Sequence, residues 1–152
     1  VILPGVGSAK SVMNSLESNE LIEIIKNLTK PVLGICIGMH VLFDRSEEHD
    51  TKCMEIISGD IKKFDSMLNL KIPQMGWNKV SFLLENTKKL DNYYYFANSY
   101  YSQIYENTLA SAEYGHPFAA AVQKDNFIGC QFHPEKSSSA GIEFLDYFLS
   151  IN

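Results

Sequence analysis

The chain has 152 residues, 45% of them apolar and 20% charged, and 13 basic against 18 acidic residues leave a formal charge of −5. That much apolar side chain builds one ordinary core without a disulfide or metal staple, and the aromatic content rules out a disordered, solvating chain. A nucleic-acid surface fits poorly, because phosphate recognition clusters Lys and Arg and Arg45 is the only arginine. In chain order, Val1 to Leu3 read as a short buried strand closed by the turn Pro4-Gly5-Val6-Gly7, and a helical stretch follows. Apolar Leu21, Ile22, Ile24, Ile25 and Leu28 follow the 3.6-residue period and predict a helix over 19–29 capped by Asn19. Pro31 ends it. Val32-Leu33-Gly34-Ile35 then reads as a strand, Cys36 as a sharp turn, and 38–43 as a helix.

The stretch 46–71 mixes charge with short apolar pieces, so loops and small strands are expected. Strands are expected at 80–84, 93–96 and 110–114, and the runs 118–123 and 127–132 flank Lys124-Asp125-Asn126 as a hairpin. Ile142, Leu145, Phe148 and Leu149 have helical spacing. Early alternation of strands and helices, with hairpins later and no linker or repeat, predicts an α/β sheet with an antiparallel extension in one domain over 1–152. The chain opens inside an apolar stretch without an initiator Met, so the expectation is that the natural start lies upstream. No apolar run approaches the roughly 18 residues that span a bilayer. Cys36, Cys53 and Cys130 are odd in number and widely spaced, which suits a reducing cytoplasm better than a disulfide framework.

Gly34-Ile35-Cys36-Ile37-Gly38 has the G-x-nucleophile-x-G form of a nucleophile elbow. A tight strand-to-helix turn leaves no room for side chains at its glycines, and the helix start faces the sulfur with its positive end, which should favour the thiolate. Cys53 and Cys130 have no such context and read as core. A thiol needs a base. Among His40, His49, His116 and His133, only His133 follows a strand, and Glu135 two residues on can orient its ring, with Pro134 stiffening the spacing. His40, one helical turn after Cys36, competes as a metal partner to the thiol, but further ligands are missing. The Ile37 amide and the Gly5-Val6-Gly7 turn could donate to an oxyanion.

Taken together, Leu3-Pro4-Gly5-Val6-Gly7, Gly34-Ile35-Cys36-Ile37-Gly38-Met39, Pro73-Gln74-Met75-Gly76-Trp77-Asn78, Tyr94-Tyr95-Phe96 and Gln131-Phe132-His133-Pro134-Glu135-Lys136-Ser137 resemble the class I, or triad, glutamine amidotransferases. The Met-Gly-Trp-Asn segment is similar to the branch of glutaminase subunits that serve imidazole glycerol phosphate synthesis. The resemblance implies a three-layer α/β sandwich with a mostly parallel central sheet and an antiparallel extension, here without the family's N-terminal β-α-β part. It implies hydrolysis of glutamine to glutamate and ammonia by a Cys36, His133, Glu135 triad, with no cofactor. It further implies that ammonia passes to a (β/α)8-barrel synthase subunit in a heterodimer, with Met75, Gly76, Trp77, Asn78, Tyr95 and Lys136 at that interface. Gly5, Val6, Gly7, Ile37, His40, Asn98, Ser99 and Tyr100 would surround the substrate.

Two positions depart from the family pattern. His40 stands where the family has a glutamine that contacts substrate, and Asn98 replaces a histidine in the segment that holds substrate by its backbone. Two alternatives stay open at this point: a divergent paralogue supplying ammonia for amidation of surface-polysaccharide sugars, and an interaction subunit with impaired turnover.

Overall fold

The computed structural model of the protein describes residues 1–65 and 70–151. Three adjacent parallel strands form one end of the sheet, with β1 (Ile2–Leu3) at the edge followed by β2 (Val32–Ile35) and β11 (Phe127–Cys130). Leu3 pairs with Gly34, Gly34 with Gly129, and Ile35 with Cys130, so all three strands end at the same edge. Beyond β11 the sheet turns antiparallel through β10 (Pro117–Lys124), β8 (Tyr100–Ser102) and β5 (Asp60–Lys63). It finishes with β3 (Arg45–Ser46), parallel to β5, and β4 (Thr51–Lys52). A second wing branches from β10 through β9 (Thr108–Glu113) to β6 (Gln74–Phe82) and β7 (Asn92–Asn98).

Both faces of β2, β11 and β10 are covered, and their sequence alternation divides the core in two. Val32, Phe127 and Ala119 pack with Met13, Leu16, Ile25 and Met39 from α1 (Ala9–Ser18), α2 (Leu21–Lys26) and α3 (Ile37–His40). Their neighbours Leu33, Ile128 and Ala120 pack on the opposite face with Phe144 and Phe148 of α4 (Ser138–Leu149) and with the β6–β7–β9 wing. Successive strand residues point to opposite faces, so a continuous apolar run is what a doubly covered strand requires. This is the mixed α/β, three-layer architecture expected. No helix among the described residues is long and apolar enough to cross a membrane.

Several local expectations shift. The helix expected over 19–29 is confined to α2, because Asn19 caps the end of α1 instead: its backbone N–H and its Nδ2 both donate to Ser15 O, and Glu20 takes the left-handed conformation at φ 56°. The helix after Cys36 is the four-residue α3. The strand expected at 80–84 begins at Gln74, so Met75 to Asn78 are strand residues. Of the segment 46–71, residues 66–69 lie outside the described residues.

The two elbow glycines are spaces for backbone. A Cβ on Gly34 would sit 2.4 Å from Gly38 O, and one on Gly38 would sit 2.2 Å from Leu3 O. Backbone cannot swing aside as a side chain can, so α3 is held against β1 and β2 by the absence of side chains. Gly38→Ala should lower unfolding stability by about 3 kcal/mol, seen as a lower urea midpoint at unchanged slope. An unaltered midpoint would contradict this packing.

Candidate active site

Because β1, β2 and β11 end together, the segments that follow them emerge at one edge, which is where open α/β sheets gather ligands. The turn at 4–7 follows β1, Cys36 follows β2, and Gln131 to Glu135 follow β11. Cys36 has φ 49° and ψ −106°, a conformation that costs a non-glycine residue about 1–3 kcal/mol. Its N–H donates to Cys130 O at 2.7 Å, so the neighbouring strand holds the strained turn.

His133 is fixed from below. Its N–H donates to Tyr95 O at 2.8 Å, its carbonyl accepts from Ser137 Oγ at 2.7 Å, and the same hydroxyl accepts from the Tyr95 N–H at 2.9 Å. The ring's Nδ1 meets Glu135 Oε1 at 2.7 Å, which leaves Nε2 for proton transfer. A Cβ built on Gly5 would come 3.1 Å from His133 Cε1 and 3.2 Å from Cys36 Cβ. Those two atoms are therefore no further apart than the sum of these distances, and the 4–7 turn lies against both. Sulfur, imidazole and carboxylate converge although nearly a hundred residues separate the first from the others.

The sulfur and the imidazole open into a cleft of about 360 Å³, with Glu135 outside its lining. Of the expected substrate-side residues, Gly5, Gly7, Ile37, His40, Asn98, Ser99 and Tyr100 line it, as do Cys36, His133 and Lys136. Val6 is not among the lining residues, and its side chain is 79% exposed. Two lining or neighbouring groups were not expected at the site from the amino-acid sequence. Glu48 lies in the mixed-charge stretch, yet it lines the cleft while its Oε2 accepts the Ala9 N–H at 2.7 Å. Gln131 opens the motif around His133 with no role of its own expected there, yet its side-chain amide stands beside the sulfur. A second cavity of about 480 Å³ lies away from this site, between α1, α2 and residues 49–55. His49 and Cys53 both line it, and the Cys53 Sγ donates to Thr51 O at 3.6 Å.

The thiol is not preformed as thiolate. Burial pushes the Cys36 thiol up to about 11, with the Glu135 and Glu48 carboxylates adding to it. Hydrogen bonds from the Ile37 amide and Gln131 oppose this without overcoming it. The start of α3 does favour the thiolate through the Ile37 amide, as expected, but burial outweighs it. Burial also pushes Cys53 up to about 12 and Cys130 well above the ordinary thiol range, as suits core residues. Among the described residues no cluster of three His, Cys, Asp or Glu side chains could hold a metal ion.

Of the residues expected at a partner interface, Met75, Gly76, Trp77, Asn78 and Tyr95 occupy the β6–β7 hairpin, and Lys136 follows β11. Met75 and Trp77 are 64% and 53% exposed and pair across the strands with Ala97 and Tyr95. The Trp77 and Tyr95 rings meet edge to face at 6.2 Å, and the Lys136 ammonium lies 5.8 Å over the Tyr95 ring. Gly76 and Asn78 alternate to the other side of β6, where Asn78 Nδ2 donates to Glu113 O at 2.8 Å.

A family model described as glutamine amidotransferase class-I matches residues 1–150. The imidazole glycerol phosphate synthase subunit HisH of Pasteurella multocida is 44% identical over 153 residues, which cover 98% of this chain and 77% of that one. HisH of Salmonella typhimurium is 45% identical over 156 residues, covering 99% and 79%. The protein named HisH 2 of Legionella pneumophila is 44% identical, covering 99% and 78%. Among solved structures, a glutamine amidotransferase superposes with a TM-score of 0.73 at 14% identity, over 97% of this chain and 76% of that one. A glutamine amidotransferase from Thermotoga maritima superposes at 0.60 and 16% identity, over 98% and 61%. These structures bear on the fold.

A thiol held up to about 11 is protonated throughout the neutral range, so each pH unit multiplies the thiolate fraction tenfold. Alkylation of Cys36 by a neutral reagent, with Cys36→Ala as the blank, should therefore accelerate about tenfold per unit between about pH 7 and 9. A plateau reached by about pH 8 would mean the thiolate is already formed.

Proposed function

The chain belongs to the class I glutamine amidotransferases, and from that premise we propose how its cleft performs glutamine hydrolysis. The protein is a glutamine-hydrolysing enzyme, the glutaminase subunit of imidazole glycerol phosphate synthase in histidine biosynthesis. Cys36 is the nucleophile. His133 Nε2 takes the thiol proton as the sulfur attacks the side-chain amide carbon, and the carbonyl electron pair moves onto oxygen. The Ile37 amide and a backbone amide of the 5–7 turn donate to that oxyanion. On collapse of the intermediate, His133 returns the proton to the departing nitrogen, ammonia leaves, and a thioester remains on Cys36. Water, deprotonated by His133, then releases glutamate and restores the thiol.

Glu135 holds the imidazole by Nδ1 and stabilises it while it carries both protons. A buried thiol suits this order of events, because the base removes the proton only when an electrophile is seated. Glu48 gives the cleft a carboxylate away from the triad, complementary to the α-ammonium group of an amino-acid substrate. The observation that carries the reading is that His133, braced by Glu135, and Cys36 both lie against Gly5 at the mouth of one cleft.

Ammonia goes to the synthase partner. That partner is a (β/α)8 barrel, joined to this chain as a heterodimer through the exposed Met75, Trp77 and Tyr95 surface with Lys136 beside it, and the complex works in the cytoplasm. An exposed tryptophan bracketed by a second aromatic ring is the kind of anchor that dominates association energy.

The decisive assay supplies glutamine together with the purified barrel partner. Cys36→Ala should lose glutamine-dependent product while retaining synthesis from added ammonia, and Glu135→Gln should lower kcat by about 10²- to 10⁴-fold. Retained glutamine-dependent turnover in Cys36→Ala would sink the assignment. In titration calorimetry Trp77→Ala should weaken association by about 2 kcal/mol, roughly 30-fold in Kd. Undiminished affinity would move the interface elsewhere.

A further inference from the structure

His40 has no part in the steps above, yet it is 3% exposed, lines the cleft, and has Nε2 2.7 Å from Gln131 Oε1. Gln131 is fully buried, and its Nε2 donates to Cys36 Sγ at 3.6 Å. A side-chain amide thus bridges a histidine and the nucleophile, over 91 residues of chain on one side and 95 on the other.

We propose that His40 and Gln131 are positioning residues for the nucleophile: the His40 ring fixes the Gln131 amide with its N–H turned on the sulfur, so that the thiolate formed during turnover meets a donor already in place. This rests on the reading of Cys36 as the nucleophile.

The argument is one of hydrogen-bond satisfaction. An amide can stand either way round, and the choice is coupled to the tautomer of the ring it faces. With the ring proton on Nε2, the ring donates to Oε1, the amide N–H faces sulfur, and Nδ1 is left as a bare acceptor. With the proton on Nδ1, the amide turns over, its oxygen accepts from the S–H, and a buried N–H is left without an acceptor. Nδ1 has no partner in either case. An orphaned buried N–H is the rarer and costlier defect, so the first arrangement wins. Burial holds His40 below its ordinary pKa, which keeps the ring neutral and makes that choice of tautomer meaningful. The outcome favours the thiolate over the thiol, because a donor solvates sulfur's negative charge whereas an acceptor binds its proton.

The charged or titratable groups facing the sulfur are His133 and Glu135 from the segment after β11, Cys130 at the end of β11, and Glu48 and Lys136 in the cleft wall. Glu48 also faces His40. None of them is altered by the substitutions that test the pair.

The experiment measures the second-order rate of Cys36 alkylation by iodoacetamide at pH 8.5 without substrate, with Cys36→Ala subtracted. Gln131→Met should slow it about tenfold, as expected for one pKa unit of lost stabilisation, and His40→Leu about fivefold by releasing the amide. The double variant should be no slower than Gln131→Met alone. His40→Gln, whose amide nitrogen can stand where Nε2 stands, should return the rate to within about twofold of the parent. Parent rates in His40→Leu, or losses that multiply in the double variant, would overturn the proposal. Should a variant fail to fold, Gln131→Glu carries the same contrast: it keeps an oxygen for His40 and gives sulfur no N–H. It should be slowed, and an undiminished rate overturns the pair. A chloroketone analogue of glutamine separates the two readings. If it labels Cys36→Ala as well as the parent, the nucleophile is misassigned. If it labels Cys36 alone while the alkylation rates coincide, only the positioning pair falls.

Discussion

The in-register parallel pairing of β1, β2 and β11 is the constraint from which the site follows. Leu3, Ile35 and Cys130 are the last residues of three adjacent strands, and what comes after each is delivered to the same few ångströms of edge. A slip of one residue in β2 would exchange Val32 and Leu33 between the two halves of the core and carry Cys36 out of reach of Cys130 O. Apolar packing on both faces of the sheet therefore sets the geometry of the chemistry. The glycines at 34 and 38 complete the arrangement by letting α3 rest on the backbone of β1.

Within that frame the electrostatics follow from burial. A sulfur mostly withdrawn from water keeps its proton, so its reactivity depends on groups arranged around it rather than on a lowered resting pKa. His133 is anchored through its backbone to Tyr95, whose ring contacts Trp77 and the Lys136 ammonium on the outer face of the hairpin. One residue of β7 thus joins the exposed aromatic surface to the His133 imidazole. The Tyr95 and His133 backbones are tied by one direct hydrogen bond and by the Ser137 hydroxyl that bridges the Tyr95 N–H and the His133 carbonyl.

The parts legible in the sequence were those that act locally or leave a chemical signature. The elbow glycines flank Cys36 because backbone must pass close by, and that requirement is written in five consecutive residues. His133 and Glu135 are two apart and bond directly, so spacing alone predicted the contact. The extent of α2 was misread because Asn19 has a side chain that suits either the start of one helix or the end of another, and only the neighbouring turn decides. Trp77 stood out as the single tryptophan, but the strand carrying it did not, since Gly76 breaks the alternation that marks a strand. Glu48 and Gln131 were not expected as site residues. Each acts across the fold, one reaching α1 and the other bridging His40 to Cys36, and nothing in a charged loop or at a strand end announces a partner so distant in the chain.

The most direct test is a crystal structure of the protein carrying a glutamine-derived covalent adduct. On this account the adduct sits on Cys36 Sγ, its carbonyl oxygen lies about 3 Å from the Ile37 amide and from an amide of the 5–7 turn, and His133 Nε2 stands within about 3 Å of the sulfur or the leaving position. An adduct on Cys53 or Cys130, or an imidazole at 133 turned away from the adduct with its Nδ1 freed from Glu135, would contradict it.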